Sequence, residues 1–156
     1  MTAPPATLRI VAAVVVGTDG RHLLARKRGT TSYMQVGGKI EPGEEPVPAL
    51  LREFEEEVGL ALLPTRVEPL GRFSAPAANE PDHRVDAHAF VVRLEPGEHP
   101  RAQAELEELR WIDPATPTTP RLPHPIAPLS LDLLTAWHEK AVSAEVGASD
   151  GGQPER

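Results

Sequence analysis

The segment PVPALLREFEEEVG, Pro46–Gly59, constrains the fold of this chain more than any other stretch. Both prolines fall in what would be the first turn of a helix, where backbone N–H groups have no helical partner to lose. Gly59 stands where a helix C-cap belongs. At about 100° per residue, Val47, Leu50, Leu51, Phe54 and Val58 gather into one apolar stripe, roughly 60° to 160° round from Glu53. Glu56 falls at about −60° and Glu57 at about +40° on the same wheel. Three carboxylates therefore share a stripe that borders the buried face, at the rim of a core where a cleft can open. Glu55 points to the far side and is expected to be solvated.

Crowding three carboxylates is unfavourable without a counter-charge. Mg²⁺ or Mn²⁺ would supply one, because hard cations favour oxygen ligands. Arg52, four residues before Glu56, is placed to orient a carboxylate. Taken alone, a run such as EFEEE is ordinarily just a solvated helix face.

The rest of the chain frames this helix. Leu8–Gly17 is β-branched and nearly all apolar, which predicts a buried strand. Asp19-Gly20 signals a turn, and His22–Arg28 predicts the returning strand of a hairpin. Gly29–Glu45 is expected as a loop with short strand pieces. Arg66–Pro76, His83–Glu95 and Glu108–Asp113 predict three further strands. In the second of these, Val85, Ala87, Ala89 and Val91 share one face, and Asp86, His88 and Phe90 share the other. Pro128–Val142 predicts a second amphipathic helix, N-capped by Ser130. Residues 1–142 are expected to form one domain and 143–156 a flexible tail. Strands and helices mix without strict alternation, so the expected fold is a mixed sheet with helices packed on it.

Bulk properties remove several functions. The net charge of −7 argues against a nucleic-acid polymer as partner, which needs a basic face. It does not exclude small phosphate ligands bridged by a cation. The absence of cysteine removes thiol nucleophiles, disulfides and cysteine zinc sites. It also fits a cytoplasmic location. The apolar run Ile10–Val16 is too short to span a bilayer, and no basic segment precedes it, so neither a membrane anchor nor a signal peptide is expected.

The wider spacing changes the reading of the glutamates. Gly38 is followed after five residues by Glu44, and Glu44 after seven by Arg52-Glu53-Phe54. After one residue come Glu56-Glu57, and after one more Gly59-Leu60. Chance would give seven fixed residues in register roughly once in 10⁸ starts. The pattern resembles the Nudix box at every specified position. Many Nudix proteins carry proline before the glycine pair, where this chain has Val36.

The resemblance implies a Nudix-like α/β/α sandwich around a mixed sheet, of the α+β type. It implies a metal-dependent pyrophosphohydrolase using Mg²⁺, with Mn²⁺ as the alternative. By resemblance Glu53, Glu56 and Glu57 bind the metal, and a carbonyl near Gly37–Gly38 completes its shell. Glu53, Glu56, Glu57 and Arg52 form the catalytic set. Gly38, Glu44 and Gly59 support the loop and helix. The general base is either Glu53 or one of Glu105, Glu107 and Glu108, which precede Trp111. A homodimer is common in the family, which makes a second copy of the chain a possible partner.

Substrate contacts are expected among Arg26, Arg28, Tyr33, Asn79, Asp86 and His88, each with a plainer alternative. Arg26 and Arg28 either meet phosphates or lie on an exposed strand face. Tyr33 either stacks on a base or packs beside the loop. Asn79, Asp86 and His88 either shape a nucleotide pocket or belong to a hydrated loop and sheet face. Pro76 falls after the box at the spacing that the resemblance associates with ADP-ribose hydrolases. The favoured function is hydrolysis of a pyrophosphate bond in a (deoxy)nucleoside triphosphate, an oxidised one included. ADP-ribose or a nucleotide sugar is the alternative substrate. A non-catalytic nucleotide sensor is the alternative of another class. A Nudix-fold isomerase usually needs a cysteine, which this chain lacks.

Overall fold

The computed structural model describes residues 4–117 and 121–149. Six strands form one mixed sheet: β1 (Ala6–Val16), β2 (His22–Lys27), β3 (Val36–Lys39), β4 (Val67–Pro76), β5 (His83–Arg93) and β6 (Leu106–Ile112). Their order is β4-β5-β1-β2-β6, with β3 pairing β1. β1 is the axis. It runs parallel to β5 along its whole length. On its other edge it pairs with β3 through Ile10–Ala13 and with β2 only at Val15 and Val16.

Two helices cover the two faces, α1 (Pro46–Val58) on one and α2 (Pro128–Ser149) on the other. Val11, Ala13 and Val15 pack under α1 with Leu50, Phe54 and Val58. Ala12 and Val14 pack under α2 with Leu129, Leu133 and Trp137. β1 is buried on both faces, which is why it reads as a continuous apolar run and not as an alternation. In β5 the face shared by Asp86, His88 and Phe90 is half-buried at its start and continues into the core at Phe90 and Val92. A satellite cluster of Leu24, Tyr33, Ile112, Ile126 and Leu134 closes the β2–β6 side.

α1 has the expected bounds. Its C-cap Gly59 takes φ 75° and its N–H donates to the Glu55 carbonyl at 3.0 Å. That left-handed conformation costs glycine nothing and strains other residues.

α2 has the expected start but not the expected cap, and it runs beyond its expected end. It starts at Pro128, and the Ala127 carbonyl accepts the first helical bond from Leu131 at 3.1 Å. Ser130 is therefore a buried residue inside the first turn and not the N-cap. The cause lies just upstream. Ile126 forms a parallel bridge with Tyr33, and the Ala127 N–H donates to the Tyr33 carbonyl at 2.8 Å. The extended chain cannot turn helical before Pro128, whose fixed φ suits the first helical position. At the other end the helix runs past Val142 to Ser149, because residues 143–149 contain no helix breaker until Gly147 and several good formers. Of the segment expected to be a flexible tail, 150–156 lies outside the described residues. Among the described residues no helix is long and apolar enough to cross a membrane.

Candidate active site

The site grows from the junction of β3 and α1. A Cβ at Gly37 would overlap the Val11 carbonyl oxygen, and one at Gly38 would sit 2.6 Å from the Glu53 carboxyl carbon. The glycine pair lets β3 lie flat against β1 while the Glu53 carboxylate rests on its backbone.

Arg52 clasps the loop to the helix. Its Nε and Nη2 donate to the two oxygens of Glu44 at 2.9 and 2.8 Å, and its Nη1 donates to Glu53 at 2.8 Å. Its Nη2 also reaches the Lys39 carbonyl at 3.2 Å. These hydrogen bonds from Arg52, with one from the Glu41 N–H, hold the Glu44 carboxyl down at about 2. Glu44 therefore stays ionised, and its contribution is fully present above its ordinary value of 4.5 and lost only as pH falls through about 2. Arg52→Lys is expected to lower kcat about 10- to 100-fold with little change in folding, because an ammonium cannot make this planar fork. Steady-state kinetics beside a thermal melt would check this.

The three box carboxylates do not share one environment. Glu57 is buried, with Oε1 lacking any hydrogen-bond partner among the described residues. Burial pushes its carboxyl up to about 8; nearby Glu53 adds to the rise, and Lys27 and the Gly37 N–H oppose it. Glu53 is nearly buried, at 15% side-chain exposure, whereas Glu56 is 58% exposed and lies 3.9 Å from Arg52. The structure thus brings Glu53 and Glu57 together beside Gly37 and Gly38 and leaves Glu56 outside. Among the described residues no three acidic or histidine side chains converge as a ready-made metal cage. The orphaned Glu57 oxygen beside a second carboxylate nevertheless fits a hard divalent cation, the group that such a pair lacks.

The later glutamates are engaged elsewhere. Glu108 accepts from Arg26 at 2.8 Å, Tyr33 at 3.0 Å and Arg110 at 3.1 Å. Burial pushes its carboxyl up, but these hydrogen bonds outweigh burial and hold it below the usual range. Glu107 pairs with Arg28 at 3.3 Å. Glu105 is exposed and lies 3.9 Å from Lys27.

A cavity of about 360 Å³ adjoins the box on the α2 face of the sheet. Leu8, Ile10 and Val85 form its apolar floor, and Ala127, Leu129 and Ser130 at the start of α2 form one wall. Lys27, Gly37, Gly38 and Lys39 line the side toward the box; Pro76, Asn79 and Glu80 also line the cavity, and Glu80 pairs with Lys39 at 3.6 Å. Of the expected substrate contacts, only Asn79 is in this lining. Arg26 is tied to Glu108 and the Thr30 carbonyl, and Arg28 to Glu107. Tyr33 is fully buried in the satellite core, so it takes the packing alternative and cannot stack on a base. Asp86 is paired with Arg72 at 2.6 Å, and with His88 it occupies the sheet face opposite Val85. Strand alternation carries both away from the cavity.

Lys27 and Gln35 were not singled out by sequence. Alternation was the available signal for Lys27, the last residue of β2, which stands between Arg26 and Arg28. Gln35 sits in an aperiodic loop and offered none. Its amide is buried, lines the cavity, and has neither nitrogen nor oxygen paired among the described residues.

The model of the NUDIX domain family matches residues 6–134. A CTP pyrophosphohydrolase of Escherichia coli is 32% identical over 81% of this chain and 89% of that protein. An octanoyltransferase of Myxococcus xanthus is 33% identical over 73% of this chain, which spans only 33% of that protein's length. Among solved structures, the E. coli ORF135 protein superposes with a TM-score of 0.67 at 27% identity, covering 89% of this chain and 94% of that one. The chain belongs to the Nudix family. Nudix hydrolases generally work with divalent metal ions.

Proposed function

We propose that this chain hydrolyses a pyrophosphate bond of a (deoxy)nucleoside triphosphate, with Mg²⁺ as its metal and Mn²⁺ as a substitute. One observation carries the reading: the cavity and the box carboxylates share Lys27, Gly37 and Gly38. A nucleoside in the cavity therefore has its phosphates directed at Glu53 and Glu57. The volume supports one nucleoside over two linked ones, since it lies near the small end of ligand pockets, about 300–1,000 Å³. The likeness to a CTP pyrophosphohydrolase supports the same class.

In this reading Glu53 and Glu57 are the principal metal ligands, and Glu56 joins from the exposed side by a change of rotamer. A hard divalent cation held by these residues would neutralise pyrophosphate charge and acidify water. Lys27 and Lys39 line the cavity and meet phosphate oxygens at its mouth, exchanging their long ion pairs with Glu105 at 3.9 Å and Glu80 at 3.6 Å, whereas Arg26 and Arg28 lie outside the lining. Glu53 is the better-placed proton acceptor for water, because Glu108 is committed to Arg26 and held ionised by three donors. Arg52 positions Glu53.

The test is product analysis over triphosphates, oxidised triphosphates, ADP-ribose and nucleotide sugars, with Mg²⁺ and with Mn²⁺. The expected result is a nucleoside monophosphate and pyrophosphate from at least one triphosphate, with at least about 10-fold lower kcat/KM on ADP-ribose. Turnover confined to ADP-ribose or a nucleotide sugar would replace the triphosphate reading. Binding without turnover of any substrate would make the domain a sensor.

A further inference from the structure

The cavity is apolar over most of its lining, yet a complete primary amide is buried in its wall. Gln35 is 93% buried, as its exposure is 7%, and neither amide atom has a partner among the described residues. Leaving such a group unpaired costs about as much as a good hydrogen bond returns. An apolar residue would fit the same place without that cost. Gln35 directly precedes β3: Val36, the first strand residue, packs in the α1 core, whereas Gln35 lines the cavity.

The first turn of α2 forms the adjoining wall. Leu131 makes the first helical bond, so the N–H groups of Leu129 and Ser130 have no acceptor within the helix. Both residues line the cavity. These N–H groups carry the positive end of a 22-residue helix. The two features together offer several N–H donors and one strong acceptor, the Gln35 Oε1. A ligand that completes them is flat, apolar on its faces, and carries carbonyl oxygen beside an N–H or amino group along one edge.

We propose that Gln35, with the first turn of α2, reads the edge of a carbonyl-bearing nucleobase, so that triphosphates of cytosine, uracil or guanine are preferred over that of adenine. This rests on the nucleotide reading above and adds the residue that sets its specificity. Gln35 Oε1 accepts from the base N–H or amino group, and its Nε2 donates to the neighbouring ring nitrogen or oxygen. The carbonyl faces the free N–H groups of α2. Adenine has the amino group but no carbonyl, so it leaves the helix N-terminus unanswered.

Nucleoside monophosphates without metal separate base recognition from hydrolysis. CMP, UMP, GMP and AMP would each be titrated into ¹⁵N-labelled wild type and Gln35→Leu, followed by NMR, with thermal melts alongside. At least one of the first three is expected to bind about 10-fold or more tightly than AMP. It should move the Gln35 side-chain amide signals and the Leu129 and Ser130 backbone amides. Q35L is expected to lose that margin without a lower melting temperature, since an apolar group of similar size replaces a buried unpaired amide. AMP bound as tightly as the others, a margin kept in Q35L, or no monophosphate bound by the wild type would overturn the proposal. Triphosphate hydrolysis without base preference would leave the hydrolase reading standing and remove the role of Gln35. Base-selective binding without hydrolysis of any triphosphate would do the reverse.

Discussion

Glu57→Gln is expected to cut hydrolysis severely and, in the metal-free protein above pH 8, to raise the melting temperature. The Glu57 carboxyl is raised by burial from 4.5 to about 8. Between those values the folded chain holds a proton that the unfolded chain has released, so stability falls as pH rises through the window. Above pH 8 the full penalty of a buried, uncompensated charge is present. At about 1.4 kcal/mol per pKa unit the penalty amounts to a few kcal/mol. The neutral amide removes it, so the mutant should melt about 5 °C or more above wild type at pH 9 with chelator present. Below pH 4.5 the advantage should vanish, because Glu57 is then protonated in both states. Hydrolysis should fall at least about 100-fold. Calorimetry at pH 4 and pH 9, with and without Mg²⁺, reads all of this, and Mg²⁺ should raise the wild-type midpoint far more than the mutant's. An E57Q midpoint at pH 9 no higher than wild type would show that the charge is already compensated within the protein.

Alanine at Gly37 and at Gly38 is expected to separate folding from catalysis by a single position. At Gly37 the new Cβ meets the Val11 carbonyl oxygen and the Ala12 Cα, both main chain, so β3 must part from β1. The cost is about 3 kcal/mol or more, and the protein should unfold at markedly lower denaturant. At Gly38 the obstacle is the far end of the Glu53 side chain, which can swing aside. Stability should change by less than about 1 kcal/mol. Activity should still drop about 100-fold, since a displacement near 1 Å at a reacting group is enough for that. Denaturant titration and kcat for both variants form the check. Equal loss of stability in the two would mean that Glu53 is wedged in place.

Much of the box was legible because it is local in sequence. Proline, glycine and the apolar period fixed α1, and the wheel put its acids at the rim. The wheel even carried the difference between Glu56 and Glu57. Glu57 leans toward the apolar stripe and is buried; Glu56 leans away and is exposed. The cavity was not legible, because its lining comes from residues 8–12, 27–39, 76–80, 85 and 127–130, which meet only in the folded sheet. Arg26 and Arg28 looked free because their partners, Glu108 and Glu107, lie on β6, far along the chain. Ser130 fitted the composition of an N-cap, but the pairing of Ile126 with Tyr33 holds the chain extended up to the helix start at Pro128 and leaves Ser130 inside the first turn.

β1 presents Val11, Ala13 and Val15 to one helix and Ala12 and Val14 to the other. The box helix and the cavity wall therefore occupy opposite sides of a single strand and meet only where the glycine pair crosses its edge. Under the proposed function, mutational drift on the α2 side would change which molecule is recognised while the carboxylate side keeps its geometry. The architecture behaves like a fixed engine with an exchangeable grip, and libraries aimed at new substrates should vary Gln35 and residues 76–80 and 127–130 and leave 37–60 untouched.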